Sequence, residues 1–229
     1  MKDYKAVLID FYGTIADGDR DAVESACAGI VAACEIPLSS SEFAVRWGER
    51  FFATIERSNH GDFRTLHECE VISLRETLGD YGYYEDASMF VQRLEDYWRN
   101  PPVHEDALAF LSECRIPTVC VSNADTSALF SAIQRHNLRF DVVVTSEMAR
   151  CYKPDAKIFR DALSAIHLAP EDVFHVGDSL YSDIEGAISA GIDAVWIRRE
   201  KRIHDIGTVE TCLQVSKLTE LHGLFSDFH

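Results

Sequence analysis

The chain has 229 residues, 47% of them hydrophobic, and a formal net charge of −16 at pH 7. That length can bury a good core as one large domain or two small ones. The negative charge argues against non-specific nucleic-acid binding and against attraction to anionic lipid, since both need a basic surface.

Ala6 to Ile9 is a short, wholly apolar run, the pattern of a central parallel strand buried on both faces. It ends in Asp10-Phe11-Tyr12-Gly13-Thr14. Ligands sit at the carboxyl ends of strands in open α/β sheets, so Asp10 is well placed for chemistry. Taken alone, the stretch reads equally well as a strand with a capped turn. Turn formers fill Ile15 to Arg20, and a helix follows with Val23, Ala26, Cys27, Ile30, Val31 and Cys34 on one stripe. Pro37 and Ser39 to Ser41 break it and cap a second helix carrying Phe43, Trp47, Phe51, Phe52 and Ile55. Its aromatics are expected to form bundle core. A third helix spans about Thr65 to Leu78 and a fourth about Asp86 to Trp98, before Asn100-Pro101-Pro102 punctuates the chain.

Strands and helices then alternate. Helix His104 to Cys114 leads to strand Ile116 to Val121, which ends in Ser122-Asn123. Helix Ser127 to His136 leads to strand Phe140 to Thr145. Lys153-Pro154 lies in a loop before helix Ala156 to Ile166. Strand Val173 to Val176 ends in Gly177-Asp178-Ser179, and helix Asp183 to Ala190 leads to strand Asp193 to Ile197. A short strand near Leu213 to Val215 and a helix near Leu218 to Phe225 complete the pattern. The expected fold is α/β: a three-layer, Rossmann-like parallel sheet core with an inserted α-helical bundle. The expected domains are residues 1–16 with 101–229 as core, and 17–100 as the helical insertion.

No run approaches membrane-spanning length, and the N-terminus offers no segment apolar enough for a signal peptide. Seven cysteines with no C-x-x-C pair read as buried thiols in a reducing cytosol. A cytoplasmic protein, monomeric or homodimeric, acting on a small molecule is therefore expected. The histidines show no metal-ligand spacing, and His175 reads as a packed strand residue.

Polar residues converge on one lip of the expected sheet: Asp10 with Thr14, Ser122 with Asn123, Lys153, and Asp178 with Asp183. A buried parallel sheet has no structural need for them there. A carboxylate can accept a phosphoryl group and later release it to water. Ser122 and Lys153 could supply donors to the phosphoryl oxygens, and Mg²⁺ asks for hard oxygen ligands such as Asp10 and Asp178.

These residues resemble the four motifs of the haloacid dehalogenase (HAD) superfamily, in order and on the expected elements. Asp10-Phe11-Tyr12-Gly13-Thr14 matches the first, Val121-Ser122-Asn123 the second, Lys153-Pro154 the third, and Gly177-Asp178-Ser179 through Asp183 the fourth. The helical insertion sits where that family carries an α-helical cap. The resemblance implies catalytic roles for Asp10, Tyr12, Thr14, Ser122 and Lys153. It implies substrate contacts from Ser122, Asn123, Lys153 and Arg46, and a Mg²⁺ set of Asp10, Tyr12, Asp178 and Asp183.

One position departs from the family's phosphatases, which usually carry a second aspartate where this chain has Tyr12. A tyrosine there is usual in its metal-free 2-haloacid dehalogenases. The acidic pair Asp178 and Asp183 instead suits a cation. The expected activity is a Mg²⁺-dependent phosphatase, with a metal-free 2-haloacid dehalogenase or a weakly catalytic ligand-binding protein as alternatives. The cap has no lysine between Lys5 and Lys153, which disfavours Schiff-base chemistry. Arg46, Arg50, Arg57, Arg64 and Arg75 are its cations able to reach a substrate carboxylate or a halide.

Overall fold

The computed structural model describes residues 3–59, 61–84, 86–199 and 213–224. The first strand, β1 (Ala6–Ile9), is wholly buried. Val7 and Ile9 enter the apolar layer on one side of the sheet, while Ala6 and Leu8 enter the layer on the other. This is the period-two division of a strand covered on both faces.

Four helices follow: α1 (Asp19–Ala33), α2 (Ser40–Asn59), α3 (Leu66–Gly79) and α4 (Ser88–Arg99). They bury a separate cluster that includes Ile30, Phe43, Trp47, Leu74 and Val91. Thr65 caps α3 with a reciprocal pair of bonds to Glu68, satisfying two amide groups that the first turn leaves open. On α2 the buried stripe is Phe43, Trp47, Thr54 and Ser58. Phe51 is half-buried and Phe52 is 69% exposed, so the aromatics of α2 do not all enter the bundle core as expected.

The remaining elements alternate: α5 (Glu105–Glu113), β2 (Thr118–Ser122), α6 (Thr126–Arg135), β3 (Val142–Thr145), α7 (Ser146–Ala149), α8 (Ala156–Ile166), β4 (Val173–Gly177), α9 (Gly186–Ser189), β5 (Asp193–Ile197), β6 (Leu213–Val215) and α10 (Leu221–Leu224). The sheet is parallel throughout, in the order β3-β2-β1-β4-β5-β6. The α/β sheet expected from the alternating pattern is therefore present. Where a regular helix is expected from Asp183 to Ala190, Leu180–Glu185 forms a π-helical turn that leads into α9. Cys212 and Phe225 lie outside the described residues. Of the other cysteines, Cys27, Cys69, Cys120 and Cys151 are buried and Cys34 and Cys114 half-buried. No helix among the described residues is long and apolar enough to cross a membrane.

The two chain crossings between the helical unit and the sheet run side by side. Asp17 N donates to Pro102 O at 2.9 Å, and His104 N to Ile15 O at 3.0 Å. Further contacts tie the units together. Asp125, at the start of α6, accepts from the Leu66 and His67 amides at 2.6 and 2.9 Å, so a core carboxylate caps α3. Asn59, the last residue of α2, exchanges two bonds with the backbone of Tyr152, at 2.7 and 3.1 Å. Tyr152 is fully buried; its ring stacks on Phe63 and its hydroxyl donates to Arg64 O at 2.8 Å.

Candidate active site

The sheet order reverses direction between β1 and β4, and the open crevice at such a reversal is where α/β sheets place ligands. Ile9 lies in register with Cys120 of β2 and Val176 of β4, so Asp10 emerges beside Val121 and Gly177. A tight loop follows: Phe11 O accepts from the Ile15 and Ala16 amides, both at 2.8 Å, and Gly13 adopts φ 91°. That left-handed conformation favours glycine.

Asp10, Lys153, Asp178 and Asp183 are all nearly inaccessible to solvent. Lys153 Nζ donates to Asp10 Oδ1 and to Asp183 Oδ1, both at 2.6 Å, and to Val121 O at 3.0 Å. Asn123 fixes the lysine's backbone, accepting from Lys153 N at 2.7 Å and donating to Lys153 O at 3.2 Å. Asp183 Oδ1 also meets His175 Nε2 at 2.9 Å, and Asp183 Oδ2 accepts from the Ser179 amide at 3.1 Å. A Cβ at Gly177 would stand 2.2 Å from Asp183 Cγ, so only glycine lets this carboxyl lie against β4. Thr14 Oγ1 donates to Asp178 Oδ1 at 3.3 Å.

Electrostatics follow from this geometry. Burial raises the Asp10 carboxyl above its ordinary value; Lys153 opposes the shift and Asp183 adds to it. Burial acts the same way on Asp183, but Lys153 and His175 outweigh it and hold that carboxyl below the usual range. Burial would also depress Lys153, yet Asp10 and Asp183 override it and keep the ammonium charged. One oxygen of Asp10, Oδ2, and the hydroxyl of Ser122 are buried and find no hydrogen-bond partner among the described residues. Both residues line an open cleft of about 790 Å³ between the sheet edge and α2.

The expected site residues are not all arranged as the motifs imply. Asp10, Ser122, Asn123, Lys153, Asp178 and Asp183 line the cleft. Thr14 reaches it through Asp178. Tyr12 borders the cleft, but its hydroxyl donates to Trp98 O at 2.6 Å, toward the helical unit and away from acid-base work. Burial, with smaller effects of Cys120, Asp125 and Asp10, also pushes its phenol well above the ordinary value. Arg46, expected to contact substrate, is exposed on α2 and is not among the residues that line this cleft. Arg50, Arg57, Arg64 and Arg75 do not line it either. Arg50 pairs with Asp80, and Arg57 with Glu76 at 3.6 Å. Lys153 is the one cation in the cleft wall among the described residues. His175, expected merely to pack, is fully buried and bonded to Asp183. Sequence reasoning also missed Phe52, Glu56, Asn59 and Tyr181, which border the cleft.

A buried lysine among three carboxylates, at the reversal of a parallel sheet and facing a helical insertion, defines an α/β enzyme with a carboxylate-lined site. A family model described as "Hydrolase: haloacid dehalogenase-like hydrolase" matches residues 4–191. The chain belongs to that family, and its members' hydrolytic chemistry is the class to which this site is assigned. It is 36% identical over 114 residues to a phosphoserine phosphatase of Thermus thermophilus, an alignment covering 47% of this chain and 45% of that protein. The match thus spans under half the length of that relative. It is 24% identical over 230 residues to (S)-2-haloacid dehalogenase 1 of a Pseudomonas species, covering 98% of this chain and 97% of the other. The crystal structure of the HAD-hydrolase YfnB from Bacillus subtilis bound to magnesium superposes with a TM-score of 0.78 at 23% identity, covering 97% of this chain and 99% of that one.

Proposed function

We propose that the chain is a divalent-metal-dependent phosphatase of a small phosphate monoester, with Asp10 as nucleophile. One observation carries the reading: ligand oxygens of Asp10, Asp178 and Asp183 lie within 4.8 Å of one another in a buried site. Lys153 and His175 face these three carboxylates, which leaves carboxylate oxygens in excess of donors at the place where a phosphate must bind. The orphaned Oδ2 of Asp10 adds a buried acceptor that a cation would satisfy. A hard divalent ion fits this all-oxygen donor set. Asp10 and Asp178 are its best candidates, with the Tyr12 backbone; both carboxylate oxygens of Asp183 already accept hydrogen bonds, which makes it an anchor for Lys153. When bound, Mg²⁺ would neutralise the repulsion between the nucleophile and an anionic substrate.

The chain's own groups do the rest. Lys153 and Ser122 hold non-bridging phosphoryl oxygens. An oxygen of Asp10 forms the bond to phosphorus as the ester P–O bond breaks, and the leaving oxygen departs with the bonding pair. Water then attacks the aspartyl phosphate, releasing inorganic phosphate and restoring the carboxylate. With Tyr12 turned toward Trp98, no side chain at that position protonates the leaving group. Residues 17–100 act in this reading as a cap on a core of 1–16 and 101–229, closing the cleft over a small-molecule substrate.

A second reading, a metal-free 2-haloacid dehalogenase, is favoured by Tyr12 and by the nearly full-length similarity to an enzyme of that name. It needs a cation for the substrate carboxylate or the departing halide, and the cap arginines stay outside the cleft. Steady-state assays of a phosphate-ester panel and of short 2-haloacids, each with Mg²⁺ and with chelator, separate the two. Metal-dependent phosphate release supports the first reading. Halide release unaffected by chelator replaces it with the second.

A further inference from the structure

The cleft wall above Asp10 is unlike its floor. The floor is charged, while the wall is built from Phe52, Ala53 and Ile55 of α2 and from Pro154 and Tyr181 on the sheet side. Phe52 is 69% and Tyr181 43% exposed, large apolar surfaces held open beside a deeply buried catalytic constellation. Phe52 is not a loose surface residue: its ring meets the half-buried Phe51 edge-on, with centroids 5.6 Å apart. One aromatic comes from each unit, so both units contribute a ring to the wall that a flat group can meet.

The charge pattern narrows the ligand further. The charged group that α2 contributes to the wall is Glu56, an anion. Lys153, the cation present, already bonds Asp10 and Asp183. A substrate with a second anionic group would meet a negative wall with no arginine among the described residues.

On the phosphatase reading, we infer that the leaving group of the preferred substrate is an uncharged aromatic or similarly flat apolar alcohol, held between Phe52 and Tyr181. Esters bearing a carboxylate or a second phosphate are rejected. The pocket and the chemistry agree. A phenol leaves readily without a proton donor, and Tyr12 supplies none. Recognition and reactivity therefore favour the same class.

The test uses the full chain with Mg²⁺ and three substrates: acetyl phosphate, phenyl phosphate and 4-carboxyphenyl phosphate. Acetyl phosphate reports the phosphoryl chemistry with almost no wall contact. The carboxylate of the third substrate does not weaken its leaving group, so its rejection reports recognition alone. The expected result is kcat/KM for phenyl phosphate about fivefold or more above that for 4-carboxyphenyl phosphate. Phe52→Ala, at an exposed position that the fold does not need, should lower the phenyl-to-acetyl phosphate ratio of kcat/KM about tenfold. Turnover of acetyl phosphate with equal use of the two aryl esters, or with a ratio unmoved by Phe52→Ala, overturns this inference and leaves the phosphatase reading standing. No turnover of any of the three removes both.

Discussion

Replacing Glu70 with Gln gives a pH-dependent result whose size follows from the structure. Glu70 is 3% exposed on α3, and its Oε1 accepts from Trp98 Nε1 at 2.8 Å, joining α3 to α4. A small cavity of about 30 Å³ beside it is lined by Tyr12, Leu66, His67, Glu95, Trp98, Arg99 and Asp125, among others. Burial is the main cause that pushes this carboxyl up from 4.5 to about 8; the Trp98 bond opposes it, and Asp125 and Glu95 add to it. The native state therefore holds the proton more tightly than the unfolded chain. Its stabilising effect is complete below pH 4.5 and is lost as pH rises to about 8. Each pH unit in that window costs about 1.4 kcal/mol. Between pH 5.5 and 8 the loss is about 3 kcal/mol, which is a ceiling, because the cavity has room for a water molecule to solvate the anion. Gln keeps an acceptor for Trp98 and removes the proton. Urea unfolding at both pH values should show wild type losing between about 1 and 3 kcal/mol more than Glu70→Gln across the interval. Parallel pH dependences, agreeing to within about 0.5 kcal/mol, would refute a proton held on Glu70.

Other perturbations follow from the same contacts. Tyr12→Phe removes the bond to Trp98 O and no acid-base group; kcat on an alkyl phosphate should change by less than about threefold, whereas loss of a working general acid would cost about 10²-fold or more. Asn59→Ala strips two bonds from the buried Tyr152 backbone, so urea unfolding should show about 1–3 kcal/mol of destabilisation. Asp178→Asn should raise the Mg²⁺ concentration for half-maximal rate at least about tenfold. Asp183→Asn should instead act mainly on kcat through a misplaced Lys153, and equal effects of the two on Mg²⁺ titrations would contradict the division of roles.

Much of this architecture is visible in local pattern. Ala6 to Ile9 is apolar throughout because both sheet faces are covered, so Asp10 stands out as the first charge at the strand's end. Ser122, Lys153 and Asp178 are legible for the same reason: each follows or faces the end of a buried strand. The contacts joining the helical unit to the sheet leave no such trace. Asn59 and Tyr152 are 93 residues apart and Leu66 and Asp125 59 apart, pairs that only the packed units bring together. Phe52 departs from the bundle core because aromatic character alone does not dictate burial. At about 100° per residue it stands roughly 140° around the helix from Trp47, off the buried stripe, and that offset was available in the sequence. The motif position of Tyr12 does not disclose its partner, because the carbonyl of Trp98, 86 residues away, decides where its hydroxyl points.

Asp10 as an acceptor of phosphoryl groups is the claim on which the functional account depends. Its most direct test is the mass of the Asp10-containing peptide after acid quench of the chain incubated with Mg²⁺, phenyl phosphate and 2-chloropropionate together. The account predicts a phosphoryl adduct on Asp10 that chelator abolishes. A carboxyalkyl ester on Asp10, formed equally well with chelator present, would contradict it and mark the chain as a dehalogenase.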